Sequence, residues 1–315
     1  MLPGTRLRPG KRRTVAVLSV ATATAVAVSG CSPHGGGKRK SAGERTASSR
    51  TTRAADGPTA TSRPGAGRGP APKPRTAEQF TARARQAMAA EKGWTFALRG
   101  SETLLMQGQR PSTATYAATA DRTTAPAALR QNGLITTSKE VRKPELVYVV
   151  GGAGYVKEGA EAWKQGPLSD PDIANDVEDP VAELEAFGAY AKSAKVQRTG
   201  AGGRDVRLQV SAAGWSLPAA RSRPALKRAV REMEPTLAQL RDAGVTASDG
   251  SITLKSFTET WNLDAAHGYR LVSHRYAYTF LVPYRGGDIT VSQEVRADNH
   301  GVFTGRVTLP ADAGR

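Results

Sequence analysis

Cys31 is the only cysteine of the chain, and His34, His267, His274 and His300 are the only histidines. A lone thiol forms no internal disulfide and supports no Cys-rich zinc site. No His-Glu-x-x-His, Cys/His pair or Gly-x-Ser-x-Gly elbow is present, so the common hydrolase and metalloprotease constellations are missing. His267 and His274 stand seven apart across a hairpin arm, a weak basis for a metal site, and surface histidines are expected there. Gly151–Gly154 follows a strand pattern as phosphate loops do, but no helix and no Lys-Ser/Thr follows, so a turn is expected. The acidic run Asp170, Asp172, Asp176, Glu178 and Asp179 has the hard oxygen donors that Ca²⁺ prefers. It lacks the glycine and closing glutamate of a calcium loop, and acids ahead of a helix serve as caps. Trp94, Phe96, Tyr148, Tyr155, Trp163 and Phe280 could line a cavity, although packed core is the default for such residues. No catalytic residue, cofactor or metal is expected.

What surrounds Cys31 is more specific. Arg6, Arg8, Lys11, Arg12 and Arg13 give the first thirteen residues a charge of +5, and Thr14 to Val28 carries no charge at all. Val28-Ser29-Gly30-Cys31 follows, completing the n-region, h-region and small-residue cleavage site of an export signal. The order resembles the lipobox of bacterial lipoproteins. That resemblance implies cleavage between Gly30 and Cys31 and a diacylglycerol on the Cys31 thiol. A spanning helix needs about 20 apolar residues, more than this run has. Two acyl chains anchor stably where one holds only marginally. Arg12-Arg13 partly resembles a twin-arginine motif, so both the Sec and the Tat route stay open. The expected location is the extracytoplasmic face of the cell membrane.

From Ser32 to Arg75 the sequence has no Val, Ile, Leu, Met, Phe, Trp or Tyr, and its Lys and Arg exceed its acids by eight. Such a segment buries too little apolar surface to offset its ordering entropy, so residues 31–75 read as a lipidated cysteine and a disordered tether. Lys38–Lys40 could lie on anionic headgroups, or the charge could simply keep the spacer extended. The formal net charge of +17 is therefore concentrated before residue 76, and residues 76–315 carry only +4. A nearly balanced domain has no polyanion footprint, and no nucleic-acid partner is expected.

Residues 76–315 read as one α+β domain. Thr76 and Gln79 form a capping box before Phe80, Ala84, Ala87 and Met88 at helical spacing, ending near Lys92-Gly93. Trp94, Phe96 and Leu98 alternate as a half-buried strand. Weaker strands are expected at 112–118 and 134–141, and 146–150 with 155–157 flank the Gly151–Gly154 turn. Asp179-Pro180 opens a helix through about Ser193, and 205–211 alternates as a strand. Pro224 to Gly244 is helical by pattern, with Pro235 expected to kink or break it. Four alternating runs close the chain, at 251–263, 269–281, 288–297 and 302–309, with turns at 264–268, 283–287 and 298–301. Their short links imply an antiparallel meander.

Tyr155-Val156-Lys157 with Trp163, Trp261-x-Leu263-Asp264 before Gly268-Tyr269, and a closing Leu309-Pro310 resemble actinobacterial lipoproteins of the LppX/LprG type. The resemblance implies a fold similar to LolA and LolB: a curved antiparallel half-barrel with a few helices packed on one side, able to enclose acyl chains. Residues 215–245 depart from the family's usual spacing. The leading expectation is a membrane-anchored, non-enzymatic lipoprotein binding a hydrophobic, lipid-like ligand. The alternatives are an envelope interaction module with a filled core, and an enzyme without a recognisable motif.

Overall fold

The computed structural model describes residues 73–200 and 204–313. Gly30, Cys31, the export signal and nearly all of the tether lie outside the described residues. The chain begins with α1 (Ala77–Ala89) and a run of strands: β1 (Gly93–Met106), β2 (Ser112–Thr123), β3 (Ala128–Thr137), β4 (Arg142–Val150), β5 (Ala153–Glu158) and β6 (Lys164–Pro167). Two short helices follow, α2 (Pro171–Ala174) and α3 (Pro180–Phe187), then β7 (Lys195–Thr199), β8 (Asp205–Ala212) and β9 (Trp215–Ser216). A helical segment, α4 (Leu217–Arg221) and α5 (Lys227–Asp242), leads into the closing meander of β10 (Thr253–Asp264), β11 (Arg270–Tyr284) and β12 (Gly287–Val302).

All pairings are antiparallel, in the order β6-β5-β4-β3-β2-β1-β12-β11-β10-β8-β7, with β9 beside β10. The sheet is large, curved and unclosed, as expected. Its centre is the β1–β12 pair, where Leu98 faces Ala297 and Leu104 faces Val291. Residues alternate between faces along each strand. One face therefore collects Trp94, Phe96 and Leu98 of β1 with Tyr276, Phe280 and Val282 of β11, all buried. The helices pack on that face. Phe80, Ala84 and Met88 of α1 are buried there, and the Trp94 indole N–H donates to the Met88 carbonyl at 2.8 Å. Phe187 of α3 meets Trp261 of β10 with ring centroids 5.4 Å apart.

Local chemistry fixes the ends of the elements. Both halves of the Thr76/Gln79 capping box are formed. Gly151 and Gly152 both take positive φ, the geometry of a tight hairpin turn matched to strand twist. Asp170 and Asp179 cap α2 and α3, each followed by a proline in the first helical turn.

Several expectations need correction. The strand expected at 134–141 is the end of β3, because Thr137 stops it: its hydroxyl accepts from the backbone N–H of Lys139 and Val141. The helix opened by Asp179 ends at Phe187, and only a 3-10 turn follows at Ala191–Ser193. The helix α5 runs through Pro235 without a break. Burial of Ala229, Val230, Met233, Leu237 and Leu240 offsets the cost of about 3 kcal/mol that an interior proline imposes. The turn expected at 298–301 is a bulge within β12. Thr95 pairs with Gly301 and Phe96 with Asn299, so His300 is the extra residue. The Asn299 carboxamide holds the bulge, accepting from the Gly301 N–H and donating to the Leu271 carbonyl. The fourth closing strand, expected at 302–309, does not form: among the described residues beyond Val302 there is no strand.

Candidate functional site beneath helix α5

The two halves of the helix-covered face differ chemically. Across β8 to β12 it is mainly aliphatic and aromatic. Across β1 to β5 it carries Glu102, Gln131, Glu145 and Glu158 at inward positions, the last two paired across β4 and β5. Helix α5 lies over the boundary. Its apolar residues meet the core, and the hydroxyl of Thr236 donates to Glu102 at 3.2 Å.

Arg228, on the first turn of α5, is the ionic centre. Its guanidinium donates to both oxygens of Glu178 at 2.8 and 2.9 Å and to Glu232 Oε1 at 2.6 Å, and it lies 3.2 Å from Glu183. It also stacks over the Tyr276 ring, 4.5 Å from the centroid. Burial opposes the charge of Arg228, but Glu178, Glu183 and Glu232 outweigh it and hold the guanidinium protonated far above its ordinary range. Burial lifts the Glu232 carboxyl above the usual carboxylate range, against the pull of Arg228 and with the push of Glu178. Tyr278 is raised by burial and then by Glu232 and Glu102. With Glu102, Glu178, Glu183 and Glu232 against Arg228 and Arg231, the region carries more acids than bases.

A cavity of about 60 Å³ lies in this region. Gly100, Ala114, Tyr116, Ile135, Gln293 and Val295 form its sheet side; Asn175, Glu178 and Glu232 close it from the helix side, and Glu102 joins them. Glycine shapes the floor. A Cβ on Gly133 would fall 2.5 Å from the Tyr116 ring, so Gly133 is what lets that ring lie flat across β3. Glu232 is buried, with Oε1 engaged by Arg228 and Oε2 without a hydrogen-bond partner among the described residues. Asn175 Oδ1 accepts from Arg231 at 2.9 Å, leaving its Nδ2 likewise without a partner there.

The residues singled out in the sequence are scattered. His267 is exposed beside Asp264 in the β10–β11 turn. His274 is not a surface histidine: it is buried, stacked 3.7 Å from the Trp261 ring, with Nε2 3.1 Å from Glu259. The two do not meet, and the described residues contain no metal-binding group of three or more His, Cys, Asp or Glu. The acidic run divides its labour. Asp170 and Asp179 cap helices, Asp179 also pairs with Arg122 at 2.8 Å, and Glu178 holds Arg228. Gly151–Gly154 is a turn and the first residues of β5. Of the six aromatics, Trp94, Phe96 and Phe280 fill the core on the helix side. Tyr148, Tyr155 and Trp163 lie on the opposite face, where Tyr148 and Trp163 pack edge to face. There Trp163 and Lys157 both bond to Asp312 of the C-terminal tail. Arg228, Glu232 and Asn175 carry no sequence motif. The only trace is an Arg/Glu pair four residues apart on a strongly amphipathic helix.

No family model matches the chain, and no curated protein matches it. Solved structures do, at low similarity. A putative outer membrane lipoprotein-sorting protein domain from Vibrio parahaemolyticus is 12% identical with a TM-score of 0.27, covering 74% of this chain and 95% of that one. A LolA superfamily protein from Nitrosomonas europaea is 9% identical with a TM-score of 0.25, covering 75% and 96%. A β-barrel-like protein from Brucella abortus, of a domain of unknown function, is 8% identical with a TM-score of 0.23, covering 67% and 99%. Among the described residues, no helix is long and apolar enough to cross a membrane.

Proposed function

We propose that the chain is a lipoprotein of the LppX/LprG type, cut between Gly30 and Cys31 and held by the lipidated Cys31 on the extracytoplasmic face of the cell membrane. Its domain is a non-enzymatic binder of a hydrophobic ligand. The observation that carries the reading is the cover of the apolar half of the sheet. Leu254, Phe257, Tyr276, Phe280 and Val282 form a continuous buried surface, and helix α5, from the segment between β9 and β10, packs into the same core. Ligand pockets for molecules of drug size run to roughly 300–1,000 Å³. A cavity of about 60 Å³ takes no acyl chain. The ligand therefore enters by displacing α5, with affinity set by the apolar area it buries in exchange.

A second reading, an envelope interaction module with a permanently filled core, is favoured by the four-residue ionic centre that ties α5 to α3 through Arg228. Native mass spectrometry of the full chain from a lipid-containing host separates the two. Co-purifying acyl species and uptake of a fluorescent fatty acid support the binder. A clean apo mass with no uptake leaves the filled module. Anchoring is tested separately by Cys31→Ser, which releases the protein from the membrane fraction if the thiol carries the lipid. Firm retention overturns the anchor.

A further inference from the structure

The cavity beneath α5 has two polar atoms whose needs are opposite. Glu232 Oε2 can only accept while ionised, and Asn175 Nδ2 can only donate. Their orientations are fixed by the partners of their other atoms: Arg228 on Glu232 Oε1 and Arg231 on Asn175 Oδ1. The Glu232 side chain is 5% exposed and lines the cavity, and its Oε2 is buried without a hydrogen-bond partner among the described residues. Glu102 and Glu178 line the same space and make it negative. A bare metal ion satisfies neither the amide donor nor the geometry, and no group of three metal-ligating side chains meets there among the described residues. A water satisfies both atoms but leaves the negative charge; an occupant carrying positive charge, with N–H donors at one end and an acceptor at the other, meets all three needs. At roughly 10–15 Å³ for each water-sized position, about 60 Å³ gives about four to six positions.

We propose that this cavity binds a small primary ammonium ion bearing a hydroxyl group, with the ammonium on Glu232 Oε2 and the hydroxyl oxygen on Asn175 Nδ2. The smallest such ion is ethanolammonium; as a phospholipid headgroup it offers the same ammonium, with a phosphate-ester oxygen in place of the hydroxyl as the acceptor. The site uses Glu232 of α5, so it exists while that helix is seated, and its test needs no acyl ligand and does not depend on whether one binds.

The test is calorimetric titration of the full chain with ethanolammonium chloride, with tetramethylammonium chloride as the cation that has no N–H. Phosphatidylcholine vesicles with and without phosphatidylethanolamine distinguish the two sources. Saturable binding of ethanolammonium, weakened about tenfold or more by Glu232→Gln, which removes the charge facing the ammonium, and less strongly by Asn175→Ala, which removes a neutral hydrogen bond to the hydroxyl, supports the site. Binding seen only as a phosphatidylethanolamine-dependent gain supports it with the lipid as the source. Because Glu232→Gln also disturbs Arg228, Gly100→Ala is the cleaner variant. Its new methyl group enters the cavity floor with no heavy atom closer than 3.5 Å, so the fold tolerates it while the space shrinks. Weaker binding by folded Gly100→Ala supports the site. Absence of saturable binding in both forms, equal affinity for tetramethylammonium, or unchanged affinity in Gly100→Ala overturns it.

Discussion

Replacing Arg228 by methionine keeps much of the side-chain length and removes the charge. The loss leaves Glu178, Glu183 and Glu232 around an apolar thioether, with Glu178 and Glu232 already buried. Breaking a buried ion pair by deleting one partner costs about 3–5 kcal/mol, because the remaining charge has no compensation. For a domain of this size, 1 kcal/mol moves Tm by about 2–4 °C, so a fall of about 6–20 °C is expected at about pH 7. The pH dependence follows from Glu232. Its folded pKa already lies above the ordinary 4.5, so its contribution is fully present below the unfolded pKa and is lost as pH rises through the folded one. Without Arg228 the folded pKa climbs further, and the variant loses stability over a wider span of neutral pH than the parent. The difference between the two proteins should therefore shrink on acidification to about pH 4.5. Urea unfolding at both pH values, followed by tryptophan fluorescence, reads it directly. A variant within about 1 kcal/mol of the parent at neutral pH refutes the claim that Arg228 compensates buried carboxylates, as does a deficit that stays constant or grows in acid.

Three further outcomes are expected. Gly93→Ala places a Cβ 2.3 Å from the Arg122 carbonyl oxygen, a backbone atom that cannot move aside alone, so a loss of about 1–3 kcal/mol is expected in chemical denaturation. A neutral result would show that the start of β1 relaxes freely. Tyr190→Phe removes the hydroxyl that donates to Glu259 Oε2 at 2.9 Å and should cost about 1.5–3 kcal/mol, since the acceptor is a buried carboxylate. An unchanged unfolding midpoint would mean that Glu259 is satisfied without it. Thr76→Ala deletes the α1 cap and should cost about 1 kcal/mol, with faster amide exchange confined to the first turn of α1. Protection that stays as in the parent argues that packing of Phe80, not the cap, sets where α1 begins.

The sequence was readable wherever a local rule agrees with the tertiary outcome. Thr76 and Gln79 announce α1, Trp94, Phe96 and Leu98 announce the buried face of β1, and Gly151-Gly152 announces a hairpin. It misled where a local rule was overruled. Asp298-Asn299-His300-Gly301 has the composition of a turn, yet pairing with β1 on one side and β11 on the other absorbs it as a bulge in a longer strand. Pro235 signals a break, but the apolar stripe around it has more to gain from a continuous helix. Of the candidate site only Glu178, within the acidic run, stands out in the sequence. Glu102, Asn175 and Glu232 come from a strand, a loop and a helix far apart in the chain, and each alone resembles an ordinary surface polar residue. Likewise Glu145, Glu259 and His274 sit at inward positions that a binary pattern assigns to apolar residues, and only the assembled sheet supplies the reason.

The order of the strands also sets a schedule. The central seam joins β1 to β12, so Trp94 waits for Val302 before it has its neighbour. Each half of the sheet can assemble from hairpins of nearby strands, but both remain open along the middle until residues 287–302 are present. Contacts of such long sequence separation make folding slow, because the loop must close before the pairing rewards it. A chain built this way keeps its two halves unjoined during synthesis, which lengthens the time in which it can still be threaded through a narrow channel. It also exposes two unpaired strand edges throughout that interval, the condition under which partly folded β-proteins associate with one another.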